Sequence, residues 1–418
     1  MLKTFISLCA ALAFAGVLSA QTHVSGIVSG VWGPEGNPYI AGSTLIVPHD
    51  STLIILPGVE IYFRSPDSLK VSGQLTAIGT ESDSIHFHWS GCDTCSTVGI
   101  HLIDSDTCRF TYCAIDTPGF AVKAFQSPVI IERCRLAAMY RAVYIKYWSY
   151  VMVDQSNIWA IVEPIIVIDC CTALITNNVT DAYPYIMVPC GIYIEWGSYG
   201  EVLNNECTGG IGFSDSEGIV IGNKMSKLGI VWASGPVTAE NNVMPTDTGY
   251  ISVTGSQDGV IRNNITHIAR ADGFLGVCNY LFEENEIYGE VEIIDEFAHP
   301  IFRRNFIANG VDVWDDASVD LTNNTIHVNS KNIGIDANTY YGAGSLGDIR
   351  NNIILGYDIG GVGINGSGSG IVEYNCIWGF ETPWIDIGSA TNNLLENPWL
   401  CGGNPFDYHL QANSPCID

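Results

Sequence analysis

The chain is poor in positive charge. Its 418 residues hold 17 Lys and Arg against 44 Asp and Glu, a formal net charge of −27. Such a surface repels nucleic acid and anionic lipid, so partners built on a phosphate backbone are excluded. A soluble protein, or one that attracts cations, is expected. Long apolar runs are missing after the first 20 residues, so no later segment is predicted to span a bilayer. Helical periodicity is missing too, and Gly360-Gly361-Val362-Gly363 therefore reads as a turn and strand start. A phosphate loop would need a helix N-terminus behind it. No nucleotide fingerprint and no Ser-His-Asp elbow stands out. Cys92 and Cys95 form a CxxC, but no second CxxC or His pair completes a zinc site.

Residues 1–20 read as a secretory leader. Lys3 gives the positive start, an apolar stretch runs from Phe5 to Val17, and Leu18-Ser19-Ala20 supplies small residues for cleavage. Export to the cell surface or medium is expected. Of the 14 cysteines, Cys9 leaves with the leader, so an odd number remains in a compartment that permits disulfides. Adjacent Cys170 and Cys171 are not expected to bond to each other.

What the chain has in plenty is asparagine at regular steps. Asn pairs occur at Asn177-Asn178, Asn204-Asn205, Asn241-Asn242, Asn263-Asn264, Asn323-Asn324, Asn351-Asn352 and Asn392-Asn393, with single copies at Asn223, Asn285, Asn305 and Asn375. Steps of about 20 residues signify a solenoid. Cys113, Cys134 and Ser156 continue the series backwards as stacked turn residues. Short runs between the copies alternate apolar and mixed residues, as in Val143-Tyr-Ile-Lys146, Ile166-Val-Ile-Asp169, Val291-Glu-Ile-Ile294, Val311-Asp-Val-Trp314 and Ile333-Gly-Ile-Asp336. Period-2 alternation puts one face inside a coil and one outside. Asn suits the sharp bend because it tolerates the left-handed region, and its amide can bond to the Asn one coil above. The pattern predicts an all-β, right-handed parallel β-helix of about 13–14 coils, a rod of roughly 65 Å. Its expected parts are an N-terminal cap and first coils (21–91), the β-helix proper (92–395) and a closing segment (396–418). The Gly- and Pro-rich stretch from Val24 to Gly91 reads as an antiparallel or irregular start that becomes the first coils. A monomer is expected.

Thr52-Leu-Ile-Ile-Leu-Pro-Gly-Val-Glu-Ile-Tyr-Phe63, Leu69 to Thr80, and the tail Asn375-Cys-Ile-Trp-Gly379 with Phe406 to Asp418 resemble secreted bacterial right-handed β-helix repeat proteins of the pectate-lyase-like fold. The resemblance spans nearly the whole mature chain and specifies fold far more than activity. It implies a disulfide between Cys401 and Cys416 across the last loop. Many such proteins carry a further sorting or anchoring module. With none before Asp418, a freely released or truncated form is expected.

Outward residues of the aligned strands form two clusters. The acidic one is Glu292, Asp295, Asp312, Asp315 and Asp316, with Asp336 nearby. Stacked carboxylates push one pKa up, which suits a glycosidase acid/base pair at Glu292 and Asp312. The same oxygens could hold Ca²⁺, and Trp314 could stack on a sugar. The chain resembles polygalacturonases in fold and in Asp315-Asp316, but it lacks their Gly-His-Gly and Arg-Ile-Lys motifs. The second cluster is Lys123, Arg141, Tyr144, Lys146, Tyr193, Glu195 and Trp196. Lys146 with Tyr144 is the pairing that could serve a polysaccharide lyase, while Tyr193, Glu195 and Trp196 form a candidate sugar platform. The expectation is an exported, non-catalytic surface or matrix protein that binds glycans or other surface partners. The alternative is a carbohydrate-active enzyme, lyase or hydrolase, working along the outward sheet.

Overall fold

The computed structural model describes residues 21–91, 97–182, 190–256, 258–274, 276–329, 331–339, 342–366, 368, 370–402 and 409–417. The leader, the Cys92–Cys95 pair and Phe406-Asp-Tyr408 of the closing motif lie outside these residues. The chain winds as a parallel β-solenoid of about 15 coils. Among the described residues its helical content is one 3-10 turn, Pro34–Gly36. No described helix is long and apolar enough to cross a membrane.

The coil count exceeds the expected one because parallel pairing starts at once. Thr22–Ile27 lies parallel to Tyr39–Val47, and Thr52–Ile55 to Gln74–Ile78. The stretch before Gly91 is therefore parallel coil, with a register shift between Val24 and Gly26, and not an antiparallel start. Its glycines made it look irregular: Gly26 within the first strand, Gly30 at the start of the next and Gly58 in a turn take φ of 66°, 89° and 77°, where a Cβ is unwelcome. The antiparallel pairings among described residues are Asn338–Thr339 with Gly342–Ala343, and a bridge from Leu400 to Leu410.

Alternation sets which side chains go inside. Leu102, Ala124, Ile145, Val167, Ile194, Phe213, Ile230, Val253, Ala271, Ile293 and Val313 stack in register as one inner column, all fully buried. Burial of each large aliphatic member contributes about 1.5–3 kcal/mol. Phe282 and Phe302 add a stacked pair in the interior, with centroids 4.4 Å apart.

The Asn pairs divide the labour at the bend. The first residue takes the left-handed turn, as Asn177, Asn204, Asn263 and Asn323 do with φ between 53° and 58°. The second is buried and stacks. Where only one Asn is present it is always the stacking one, and Gly222, Glu284, Arg304 or Tyr374 supplies the positive φ before it. Towards the N-terminus the column continues as expected: the N–H groups of Cys113, Cys134 and Ser156 donate to Cys134 Sγ (3.4 Å), Ser156 Oγ (3.0 Å) and Asn178 Oδ1 (2.9 Å). A second buried column, not foreseen, runs along another turn through Ser105, Ser127, Ser149, Cys171 and Ser198.

The tail departs from the pairing that the resemblance implied. Cys401 is exposed and unbonded. Its N–H donates to the His409 carbonyl at 2.8 Å within an outer hairpin. Beyond the hairpin, Ser414 caps the Pro398 carbonyl and turns the chain inward. Cys416 thereby comes within 2.8 Å of Cys376 at the end of the core, not of Cys401.

Candidate glycan-binding surface

One outward column unites the two clusters read from the sequence. In register it runs Lys70, His101, Lys123, Tyr144, Ile166, Tyr193, Gly212, Gly229, Ser252, Arg270, Glu292, Asp312, Asp336. The basic and acidic ends are thus far apart on the same sheet. Tyr144 and Glu292 are seven coils apart, roughly 34 Å at about 4.8 Å per coil. Trp314 lies six coils from Glu195 along the neighbouring column, so the expected sugar platform of Tyr193, Glu195, Trp196 and Trp314 is split.

At the acidic end, Glu292 and Asp312 are direct neighbours, as expected. Burial raises the pKa of both. They do not stand alone: Arg270 approaches Glu292 at 3.8 Å, and Lys331 bonds Asp312 and Glu290. Asp295, Asp315 and Asp316 sit in turns at positive φ beyond the strand ends, away from this outward pair. Among the described residues no three Asp, Glu, His or Cys side chains converge as metal ligands. Arg270 escaped notice because its strand, Ile268–Asp272, reads as the weakly apolar Ile-Ala-Arg-Ala-Asp. Lys331 arrives from a loop and carries no periodic signal.

At the basic end, aligning Ile166-Val-Ile-Asp169 with Val143-Tyr-Ile-Lys146 gave the wrong phase. Tyr144 pairs with Ile166 and Lys146 with Ile168, while Asp169 turns away at φ 62°. The strand Glu163–Ile168 ends in four apolar residues, so nothing in the sequence marked which ones face out. Asp169 still meets Lys146, at 3.1 Å. Tyr147, whose ring faces the Lys146 ammonium at 4.5 Å, and Asp169 together hold that group protonated by raising its pKa. Burial raises Tyr144 as well. Neither is prepared as a base. Lys123 differs. Its ammonium lies 4.7 Å from the Phe120 ring and 4.9 Å from Phe125. Burial, then Arg141 and Lys146, lower its pKa.

Between the two ends the column loses its side chains. Gly212 and Gly229 lie side by side, with Tyr193 before them and Ser252 after. A Cβ placed on Gly229 would meet nothing within 4 Å. Ser214 and Val231 flank this step, and beyond them the turns carry the exposed indoles of Trp196 and Trp232. The Tyr193 hydroxyl bonds the Glu195 carboxylate, whose pKa burial raises. The step is bare of side chains, with Gly229 half-buried and Gly212 buried, and the aromatic groups at its rim can pack on the C–H face of a sugar ring while its hydroxyls find polar partners. The sequence had offered Tyr193, Glu195 and Trp196. Gly212, Gly229 and Trp232 leave no mark of a site in the sequence, because a glycine pair signals a bare step only once register is known.

A concavity of about 520 Å³ lies near the C-terminal end between Trp378, Trp399, Leu355 and Gln411. Comparison of the chain with family models, with curated proteins and with solved structures finds no match.

Proposed function

We propose that this protein is an exported, non-catalytic β-helix rod that binds glycans on its outward face. The observation that carries this reading is the glycine floor of Gly212 and Gly229, bordered by Tyr193 and by the indoles of Trp196 and Trp232. Exposed aromatic side chains gathered beside a step bare of side chains are costly to leave in water and mark a binding surface. The acids and bases on either side favour binding over catalysis, since Lys146 is held by Asp169, and Glu292 and Asp312 face Arg270 and Lys331.

A carbohydrate-active enzyme of the pectate-lyase-like class is the second reading. Lys123 favours it: its half-buried ammonium, packed on Phe120 and Phe125, has its pKa lowered by burial and has no carboxylate partner among the described residues, the direction a lyase base requires. Incubation with pectin, alginate and neutral plant glycans separates the two. Binding without unsaturated products or new reducing ends is the expected result. Release of either product from any of them would replace the binding reading with the enzymatic one.

A further inference from the structure

The ridge of turns beside the outward column carries a regular aromatic row. Trp148, Trp196, Trp232 and Phe274 are 76%, 51%, 47% and 54% exposed. Backbone bonds between successive turns fix their spacing. Trp148 N–H donates to the Asp169 carbonyl and Cys170 N–H to Trp196; Trp196 N–H reaches Ser214 and Asp215 N–H reaches Val231; Trp232 N–H bonds Thr254 and Gly255 N–H bonds Asp272, just before Phe274. The four aromatics therefore fall on every second coil, Trp196 and Trp232 at the first residue after the strand and Trp148 and Phe274 one residue further on, beyond Tyr147 and Gly273, and Cys170, Asp215 and Gly255 occupy the coils between. Phe297, one coil past Phe274, ends the row out of step.

The alternation has a steric cause where it can be followed. A Cβ on Gly255 would lie 2.5 Å from Trp232 Cδ1, so the indole lies across the turn of the next coil. A second bulky side chain there would collide with it. Two coils are about 10 Å, and the row spans six coils, roughly 29 Å.

From this spacing we infer that the ridge reads a neutral β-1,4-linked glycan chain two sugars at a time. The inference rests on the glycan-binding reading above and names its ligand class. In a β-1,4-linked chain successive rings are flipped, so the same face recurs once per disaccharide, at close to the two-coil step. An α-1,4-linked chain curls and cannot keep pace with a straight row. Charge excludes the acidic polymers. Asp215 lies between two of the indoles, Asp272 precedes Phe274, and the chain as a whole carries −27. The cations beside the row are already paired, Lys146 with Asp169 and Arg270 with Asp272 and Glu292.

Titration calorimetry of the full chain with cellohexaose, maltohexaose and hexagalacturonate tests this. Cellohexaose should bind at least about tenfold more tightly than either of the others. Trp196→Ala and Trp232→Ala should each weaken it by about tenfold. The deciding variant combines Trp196→Ala and Trp232→Ala with Asp215→Trp, which restores one indole clear of its neighbours but off the two-coil step. It should bind no better than the Trp196→Ala, Trp232→Ala pair alone. Equal affinity for maltohexaose, or full recovery in the shifted variant, overturns the ligand class. If glycans bind through the floor while Trp148→Ala and Phe274→Ala leave affinity unchanged, the row is not a reader and only this inference falls. If no glycan binds the wild-type chain, the binding reading itself falls with it.

Discussion

The side-chain amide of Asn264 donates to Oδ1 of Asn285 at 3.0 Å, and the backbone N–H of Asn264 reaches the same oxygen at 3.0 Å. Asn285 does the same to Asn305 one coil on, and its Nδ2 also bonds the Ile261 carbonyl. The link recurs at each coil from Asn178 to Asn393. Inside a dry stack these amides satisfy backbone groups that the bend has taken out of the β-ladders. Each column member is therefore both a spacer and a cap for its neighbours.

Asn285→Ala leaves the Asn264 donors unanswered. An unsatisfied buried polar group costs about 1–3 kcal/mol. The urea midpoint is expected to fall clearly, and Asn285→Ser, which keeps an oxygen as Ser156 does naturally, should fall less. Equal midpoints for wild type and the Ala variant would show that the column adds nothing to stability.

The column was legible because one residue type recurs at one place in every coil. Cys113, Cys134 and Ser156 could be joined to it by spacing alone. Phase was harder. Where strands alternate strictly, as in Val291-Glu-Ile-Ile and Val311-Asp-Val-Trp, the outward residues were placed correctly. In the apolar run Ile165-Ile-Val-Ile168 no pattern marks the exposed side, and Asp169 was placed one position off. The floor at Gly212 and Gly229 could not be read as a floor at all, since what matters there is the absence of side chains on neighbouring coils. Arg270 and Lys331 show the same limit for charge: a counterion brought by a different coil leaves no mark near the acids it neutralises.

Filling the floor should abolish binding without harming the fold. Gly229 has open space where a Cβ would go, so Gly229→Trp is expected to melt like wild type and to lose glycan affinity. Gly218 is the contrasting position. Its φ is 152°, and an added Cβ would meet the Gly200 carbonyl oxygen, so Gly218→Ala should lower the midpoint. Affinity electrophoresis beside thermal melting checks both. Undiminished glycan binding by folded Gly229→Trp would remove the floor from the site.

His101 gives a pH dependence of known sign. Burial, with Lys123 beside it, pushes this imidazole down to about 4 from its ordinary 6.5. Lys70 and Lys123 are its neighbours in register, and Phe120 meets its ring edge-on at 6.5 Å. The unfolded chain takes up a proton here before the folded chain does. The contribution is complete above 6.5 and is lost as pH falls towards 4. Glu195, Glu292 and Asp312, raised by burial, act in the opposite direction, so the comparison must be with a variant. Between pH 7 and 4, His101→Gln should lose less stability than wild type. Parallel curves for the two proteins would mean that His101 titrates normally.

Cys376 and Cys416 approach to 2.8 Å where the tail covers the last coil. Joining them removes two protons and two electrons, which a disulfide oxidant such as oxidised glutathione accepts as it becomes two thiols. Burial pushes the Cys376 thiol far up, so the more exposed Cys416 is the group that attacks the oxidant first. A bridge closing a loop of about 40 residues would stabilise the fold by roughly 4 kcal/mol. Peptide mapping without reduction is expected to find Cys376 linked to Cys416, with Cys401 free for alkylation. Cys376→Ser and Cys416→Ser should then lower the melting midpoint under oxidising conditions, and Cys401→Ser should not. A Cys401–Cys416 peptide would instead restore the pairing implied by resemblance.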